Sequence, residues 1–332
     1  YAPAQLVRDA TDHGVEVRPP DVNWSYWDNT LEPMARRRGP LKTAVRLGFR
    51  QIKGMREEAA NRIVTARRAT YNSPAELKRR AGLDRATLMR LAEADAFRSM
   101  AMDRRQALWD VHALKKGELP LFAAAEAHSG RAGPGGNLPP IEGVPAGDGD
   151  QPWAELPAMG MGEHVIEDYT SLRLSLKAHP LALLREHLRP RRLTSARGLW
   201  STPPGSRIAI AGLVIVRQRP GSAKGVIFAT LEDETGFANI IVWPKVFERY
   251  RPVIMRSRLL EARGRLQREG RVIHLVADTV TDLTAELHSL RDTSHDPKAF
   301  EHSLDQAMSP ADEFKCAVPD ARDAMPKGRN FR

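Results

Sequence analysis

"VRQRPGSAKGVIFATLEDETGFANIIVW", residues 216–243, decides how the C-terminal part of this chain folds. Its runs 225–232 and 237–243 are β-rich and alternate, and "EDETG" between them has the acidic, Gly-ended chemistry of a hairpin turn. Both runs therefore read as strands. Upstream, 207–217 reads as a third, joined to the next by a basic, Gly-punctuated loop that carries Arg217, Arg219 and Lys224. Downstream, "KVFERYR" reads as one or two helical turns, and 257–266 and 271–278 as two further strands.

Five strands with a short helix between the third and fourth is the order of a five-stranded OB-fold barrel, here 206–290. That fold turns the loop after its first strand toward single strands, so Arg217, Arg219 and Lys224 are candidate phosphate contacts. Among the aromatic residues, Phe228 is expected in the core. Phe237 is a candidate for stacking or core, and Trp243 is open between a core position and a stacking platform. The carboxylates of "EDETG" read as a solvated turn rather than a metal site.

Toward the N-terminus the apolar period changes to that of helices. Ala4 to His13 reads as a short helix ended by Gly14, "VEVRPPDVN" as a strand running into a Pro-stiffened turn, and "AVRLGFRQI" as a second extended piece after Arg36, Arg37 and Arg38. "IKGMREEAANRIV", 52–64, has the layout of a helix-hairpin-helix turn, with Ala60 and Ile63 facing inward on a helix over 57–68. Gly54 lets the turn approach a ligand closely, and the free amides of the next helix suit a phosphate. Lys53, Gly54, Arg56 and Arg62 are thus the candidate contacts to a duplex backbone, the competing reading being a hairpin that only packs. Arg56 stands where such a turn usually has a second glycine.

Ser73-Pro74-Ala75-Glu76 is a capping box that starts a helix ending near Gly82, while Asp84 and Asp103 are caps for two more. "RAGLDRATLMRLAEADAF", 80–97, is a degenerate second hairpin, open between DNA contact and packing. Residues 47–116 so form a tandem helix-hairpin-helix domain. The Gly/Pro-rich composition of 117–158 reads as a flexible linker, 159–205 as a helical connector broken at Pro180, and 291–332 as a polar, disordered tail. The fold class is α+β and multi-domain.

With 332 residues, 42% hydrophobic content and a formal charge of +10, the chain can fill several cores and expects an anionic partner. Its single cysteine, Cys316, forms no internal disulfide, so a reducing, cytoplasmic location is expected. The longest apolar run, 208–216, is about half of what a membrane-spanning helix needs, so no membrane partner is expected. Asp148 and Asp150 lie in the linker and His179 has no ligand-spaced partner, so no metal site and no catalytic residue is assigned. Tyr1 at the start reads as the interior of a domain.

Together "GVEVRPPDVNWS", "RLGFRQIKGMREEAANRIV", "ADAFRSMAMDRRQALW", "EDYTSLRLSLKAHPL" and the 212–251 stretch resemble the C-terminal part of the bacterial C-family replicative polymerases, closest to their error-prone, damage-inducible branch. The closing "AMPKGRNFR" resembles that branch's basic end. The resemblance covers almost the whole chain and implies that residues 1–46 end a fingers-like region. It implies that 47–110 hold duplex and 206–285 contact single-stranded template. It further implies a parent DNA-directed DNA polymerase used in damage tolerance, without proofreading, whose palm aspartates would hold Mg2+; that palm is outside this sequence. A Y-family-like accessory protein is the partner the resemblance implies. "ELPLF", 118–122, falls where relatives carry a sliding-clamp peptide, with Leu121 and Phe122 as the residues that would enter the clamp. Glu118 and Pro120 depart from that peptide, and a linker anchor packing on the hairpins is the preferred reading. The alternative for the whole chain is a stand-alone, non-enzymatic DNA-binding module.

Overall fold

Local capping chemistry sets the helices of the N-terminal half, in a computed structural model that describes residues 3–34, 43–114, 156–220, 225–270 and 272–291. Helix α1 (Pro3–Asp12) precedes a small sheet of β1 (Val17–Arg18), β2 (Thr30–Pro33) and β3 (Thr43–Arg46), in the order β1-β3-β2. The edge strand β2 has no counterpart among the expected elements; it ends at Pro33, a residue that suits an edge because it cannot donate to a ladder. Helices α2 (Glu57–Ala66), α3 (Pro74–Ala81), α4 (Arg85–Glu93) and α5 (Arg104–Ala113) follow. Ser73, Asp84 and Asp103 cap α3, α4 and α5 by accepting from the amides of Glu76, Thr87 and Gln106. Helix α2 stops two residues short of the expected 68, and Arg67 is its C-cap.

The connector departs from expectation at its proline. Helix α6 (Met161–Ser171) ends well before Pro180, and that proline opens helix α7 (Pro180–Leu184) instead of breaking a continuous one. Proline lacks an N–H that the first turn would leave unsatisfied anyway. The Nδ1 of His179 accepts the Leu181 amide at 3.2 Å and caps the new helix.

The barrel closes in the order β4-β5-β6-β8-β7, from β4 (Arg207–Gln218), β5 (Ile227–Asp233), β6 (Gly236–Val242), β7 (Leu259–Glu269) and β8 (Val272–Asp282), with β6 and β8 parallel. Helix α8 (Pro244–Arg256) joins β6 to β7; it is longer than the expected one or two turns and kinks at Tyr250, just before Pro252. Closure is tight. A Cβ at Gly264 would stand 1.9 Å from the Val276 carbonyl oxygen, at the point where the β7–β8 register shifts.

Three apolar cores result. One runs from Val22 to Leu174 through the hairpins, so the segment before residue 47 shares its core with them. A second fills the barrel around Ile210, Leu231, Ile240 and Leu275. The third lies between α6, α7 and outer barrel residues such as Leu213 and Leu259. Charged pairs join the units: buried Asp168 of α6 accepts from Arg104 of α5 and from Lys177 at 2.9 Å, and Lys177 also reaches Asp95 at 3.2 Å. Arg8 of α1 donates to Glu232 at 2.6 Å and to the Asp233 carbonyl at 2.7 Å. Among the described residues no helix is long and apolar enough to cross a membrane.

Candidate nucleic-acid interface

The first hairpin turn keeps the features a phosphate needs. Gly54 has φ +75, a left-handed conformation that glycine adopts without cost, and the guanidinium of Arg90 lies beside it. Arg56 is the N-cap of α2 in extended conformation with no side-chain cap, so no side chain of its own turn competes for the first-turn amides. Lys53, Gly54 and Arg56 are exposed, and Ala60 and Ile63 are fully buried beneath them. Arg62 is used differently: it donates to the Gly82 carbonyl at 3.0 Å and bridges α2 to the second turn.

Two cations that sequence reading missed share this site. A cleft of about 760 Å³ is lined by Arg50, Lys53, Gly54 and Arg173, with Leu6 and Asn29. Arg50 is ion-paired to Asp28 at the rim. Arg173 follows α6 with φ +62, and reaches the turn because the Lys53 amide donates to the Ser171 carbonyl at 2.8 Å and the Gln51 side chain to the Leu172 carbonyl at 2.7 Å. No local signal near residue 173 announces that contact across the chain.

The second hairpin is unlike the first. Asp84 occupies the α4 N-terminus, its carboxyl held below the ordinary range by the Thr87 hydrogen bonds, so an anion is already in place there. An incoming phosphate there would have to compete with the Asp84 carboxylate for the first-turn amides.

On the barrel, the basic trio separates. Arg217 is not in the loop; it lies in β4, 3% exposed, and its guanidinium donates to the carbonyls of Ile254 and Ser257. A bulge between Val214 and Val216 shifts the alternation by one, so that Arg217 pairs with Ala229 on the inward face. Arg219 is exposed, and Lys224 lies outside the described residues, as do Leu121 and Phe122. Trp243 is 53% exposed, which removes it from the core.

Phe228 is also corrected. Ile227, Ala229 and Leu231 point into the barrel, leaving half-buried Phe228 and Thr230 on the outer face. There Phe228 pairs with Ile241 and Thr230 with Asn239, while Ile241 and Asn239 stand beside Val276 and His274 of β8. Phe237, 45% exposed, continues the face under Arg8, whose guanidinium lies 4.9 Å from its ring. The middle of the outer β5–β6–β8 face, with Phe228, Ile241 and Val276 beside Thr230 and Asn239, therefore offers an aromatic and apolar surface on which bases stack, and the Arg8–Glu232 ion pair bounds it at the Phe237 end. Parity with Thr230 was the available signal for Phe228.

Two carboxylates of "EDETG", Glu232 and Asp233, are buried rather than solvated, and Glu234 is half-buried and paired with Arg185. Asp233, 1% exposed, accepts from the Thr235, Gly236 and Ala196 amides and from Arg185 at 2.8 Å. Among the described residues no three His, Cys, Asp or Glu side chains converge on a metal position.

A family model described as a helix-hairpin-helix motif matches residues 14–107, and one described as an OB-fold nucleic acid binding domain matches 208–283. The chain is 43% identical to the error-prone DNA polymerase of Sinorhizobium medicae over 369 residues, covering 100% of this chain and 31% of that protein. The chain belongs to the family of error-prone DNA polymerases, of which it matches a segment. The Ruegeria pomeroyi error-prone DNA polymerase is 50% identical over 87% of this chain and 24% of its own length. Error-prone DNA polymerase 2 of Rhizobium meliloti is 44% identical over 98% of the chain and 28% of that protein. The chain thus spans under a third of the length of these error-prone polymerases.

Proposed function

We propose that this chain is the DNA-holding part of an error-prone DNA polymerase that acts in damage tolerance in the cytoplasm, gripping primer-template duplex with the first hairpin and single-stranded template with the barrel. The observation that carries the reading is the cleft in which Lys53, Arg50 and Arg173 surround a Gly54 turn that leads into an uncapped helix. Duplex gripped there would be held by its phosphates, without base readout. The outer β5–β6–β8 face, with Phe228, Phe237 and Trp243, would stack template bases, and Arg219 would meet their phosphates. The Mg2+ of such a polymerase belongs to a palm; the described carboxylates here offer no group to hold it, and no step through it is assigned to this chain. A Y-family-like accessory protein would meet the longer polymerase, and clamp binding by Leu121 and Phe122 stays secondary to a linker anchor.

Replacing Lys53 and Arg56 by Ala should weaken duplex binding and flatten the plot of log affinity against log salt by about 1.8, at about 0.9 for each phosphate no longer neutralised. Fluorescence anisotropy with a labelled duplex across a salt series measures it. An unchanged slope would make the first hairpin structural.

A further inference from the structure

We infer that the kinked helix α8 carries a phosphate track for single-stranded nucleic acid, continuous with the stacking face of the barrel. This rests on the single-strand reading above and adds the surface of α8 to it. Arg219 and Arg251 both hold their guanidinium groups against one ring, 6.0 Å and 5.9 Å from the centroid of Phe247. That ring is 8% exposed, so it fixes the two cations at the surface without being available itself. Arg249 packs over Tyr250 at 5.3 Å, at the kink residue, and Lys245 is exposed one turn earlier.

These cations differ from several others around the barrel. Arg8, Arg185, Arg191, Arg207 and Arg263 are each ion-paired to a carboxylate. Among the described residues no carboxylate pairs with Arg219, Arg249 or Arg251, and Glu248, the one acidic residue of α8, forms no ion pair with them. Unneutralised guanidinium groups held by aromatic rings suit phosphate oxygens, which they meet with forked donors.

Continuity with the stacking face follows from the chain itself. Exposed Trp243 ends that face and is the N-cap residue of α8. A Cβ built at Gly225 would stand 3.5 Å from both the Arg219 guanidinium and the Pro244 ring, so loop, helix start and Arg219 are in one place. A strand whose bases lie on Phe228 and Trp243 would so lead its phosphates past Arg219 onto Arg251 and Arg249.

The test is anisotropy of the whole chain with labelled oligothymidylate across a salt series. Arg249→Gln with Arg251→Gln should lower affinity and reduce the salt slope by about 1.4, at about 0.7 per single-strand phosphate. Arg249→Lys with Arg251→Lys should keep the slope, and Trp243→Ala should lower affinity with the slope unchanged. Thermal melts equal to wild type establish that each variant is folded. If Trp243→Ala weakens binding while the double Gln variant keeps the wild-type slope, the α8 track is wrong and the stacking face stands. A wild-type chain that does not bind oligothymidylate overturns both.

Discussion

Arg217 and Arg219 are two residues apart, equally charged, and opposite in role. Arg217 satisfies two buried carbonyls where α8 hands over to β7, and burial lowers its pKa from the ordinary arginine value. Arg219 lies at the surface over the Phe247 ring. Arg217→Ala should cost about 3 kcal/mol in urea unfolding, because two buried acceptors lose a charged donor. Arg219→Ala should leave the midpoint unchanged and weaken single-strand binding. Equal stability losses in the two variants would contradict the assignment. The sequence did not separate these arginines because a strand of strict period two puts residue 217 outside; only the bulge after Val214 turns it inward. A one-residue irregularity depends on the pairing of two strands and leaves no local mark.

At the scale of elements, the two hairpins share a plan and differ in one cap. The Asp84 side chain accepts the Thr87 amide at 2.8 Å, whereas α2 starts at Arg56 with nothing equivalent. Asp84→Ala should cost about 1 kcal/mol of stability, the usual worth of an N-cap. Duplex affinity of that variant should stay within error of wild type on the reading that the second turn packs. A clear gain in duplex affinity would show instead that Asp84 was holding a usable phosphate site shut. Helix starts at Ser73, Asp84 and Asp103 were legible because capping is a contact within four residues, and the barrel order was legible because alternation and turns are equally local. The cleft was only half legible. Lys53, Gly54 and Arg56 come from one turn, but Arg173 arrives from the connector by tertiary hydrogen bonds to residues 51 and 53.

For the whole molecule, two histidines with pKa values lowered by burial, His179 and His164, sit at joints between units. His179 lies where α1, the connector and the barrel meet, and burial together with Arg8 and Arg185 pushes its pKa down to about 3, against a smaller opposite pull from Asp233. His164 sits beside the Arg104–Asp168 pair between α5 and α6, and burial, Arg104 and Lys177 lower its pKa to about 4. Both are neutral in the folded state where the unfolded chain, with an ordinary histidine pKa near 6.5, already takes up protons. Their contribution to stability is whole above pH 6.5 and is lost as pH falls toward 4 and then 3. Glu167 and Glu232 act with the opposite sign: burial raises their pKa values, so protonation in acid relieves a cost present at neutral pH. Urea unfolding should show stability falling by roughly 1–2 kcal/mol per histidine between pH 7 and 5, as linkage gives for a group so shifted. His179→Asn keeps a side-chain acceptor for the Leu181 amide but cannot titrate, and should remove its share of that fall. A pH profile that His179→Asn leaves unaltered would mean that the joint between barrel and hairpins is open to water, and the same melts read at pH 7 show whether the cap itself survived.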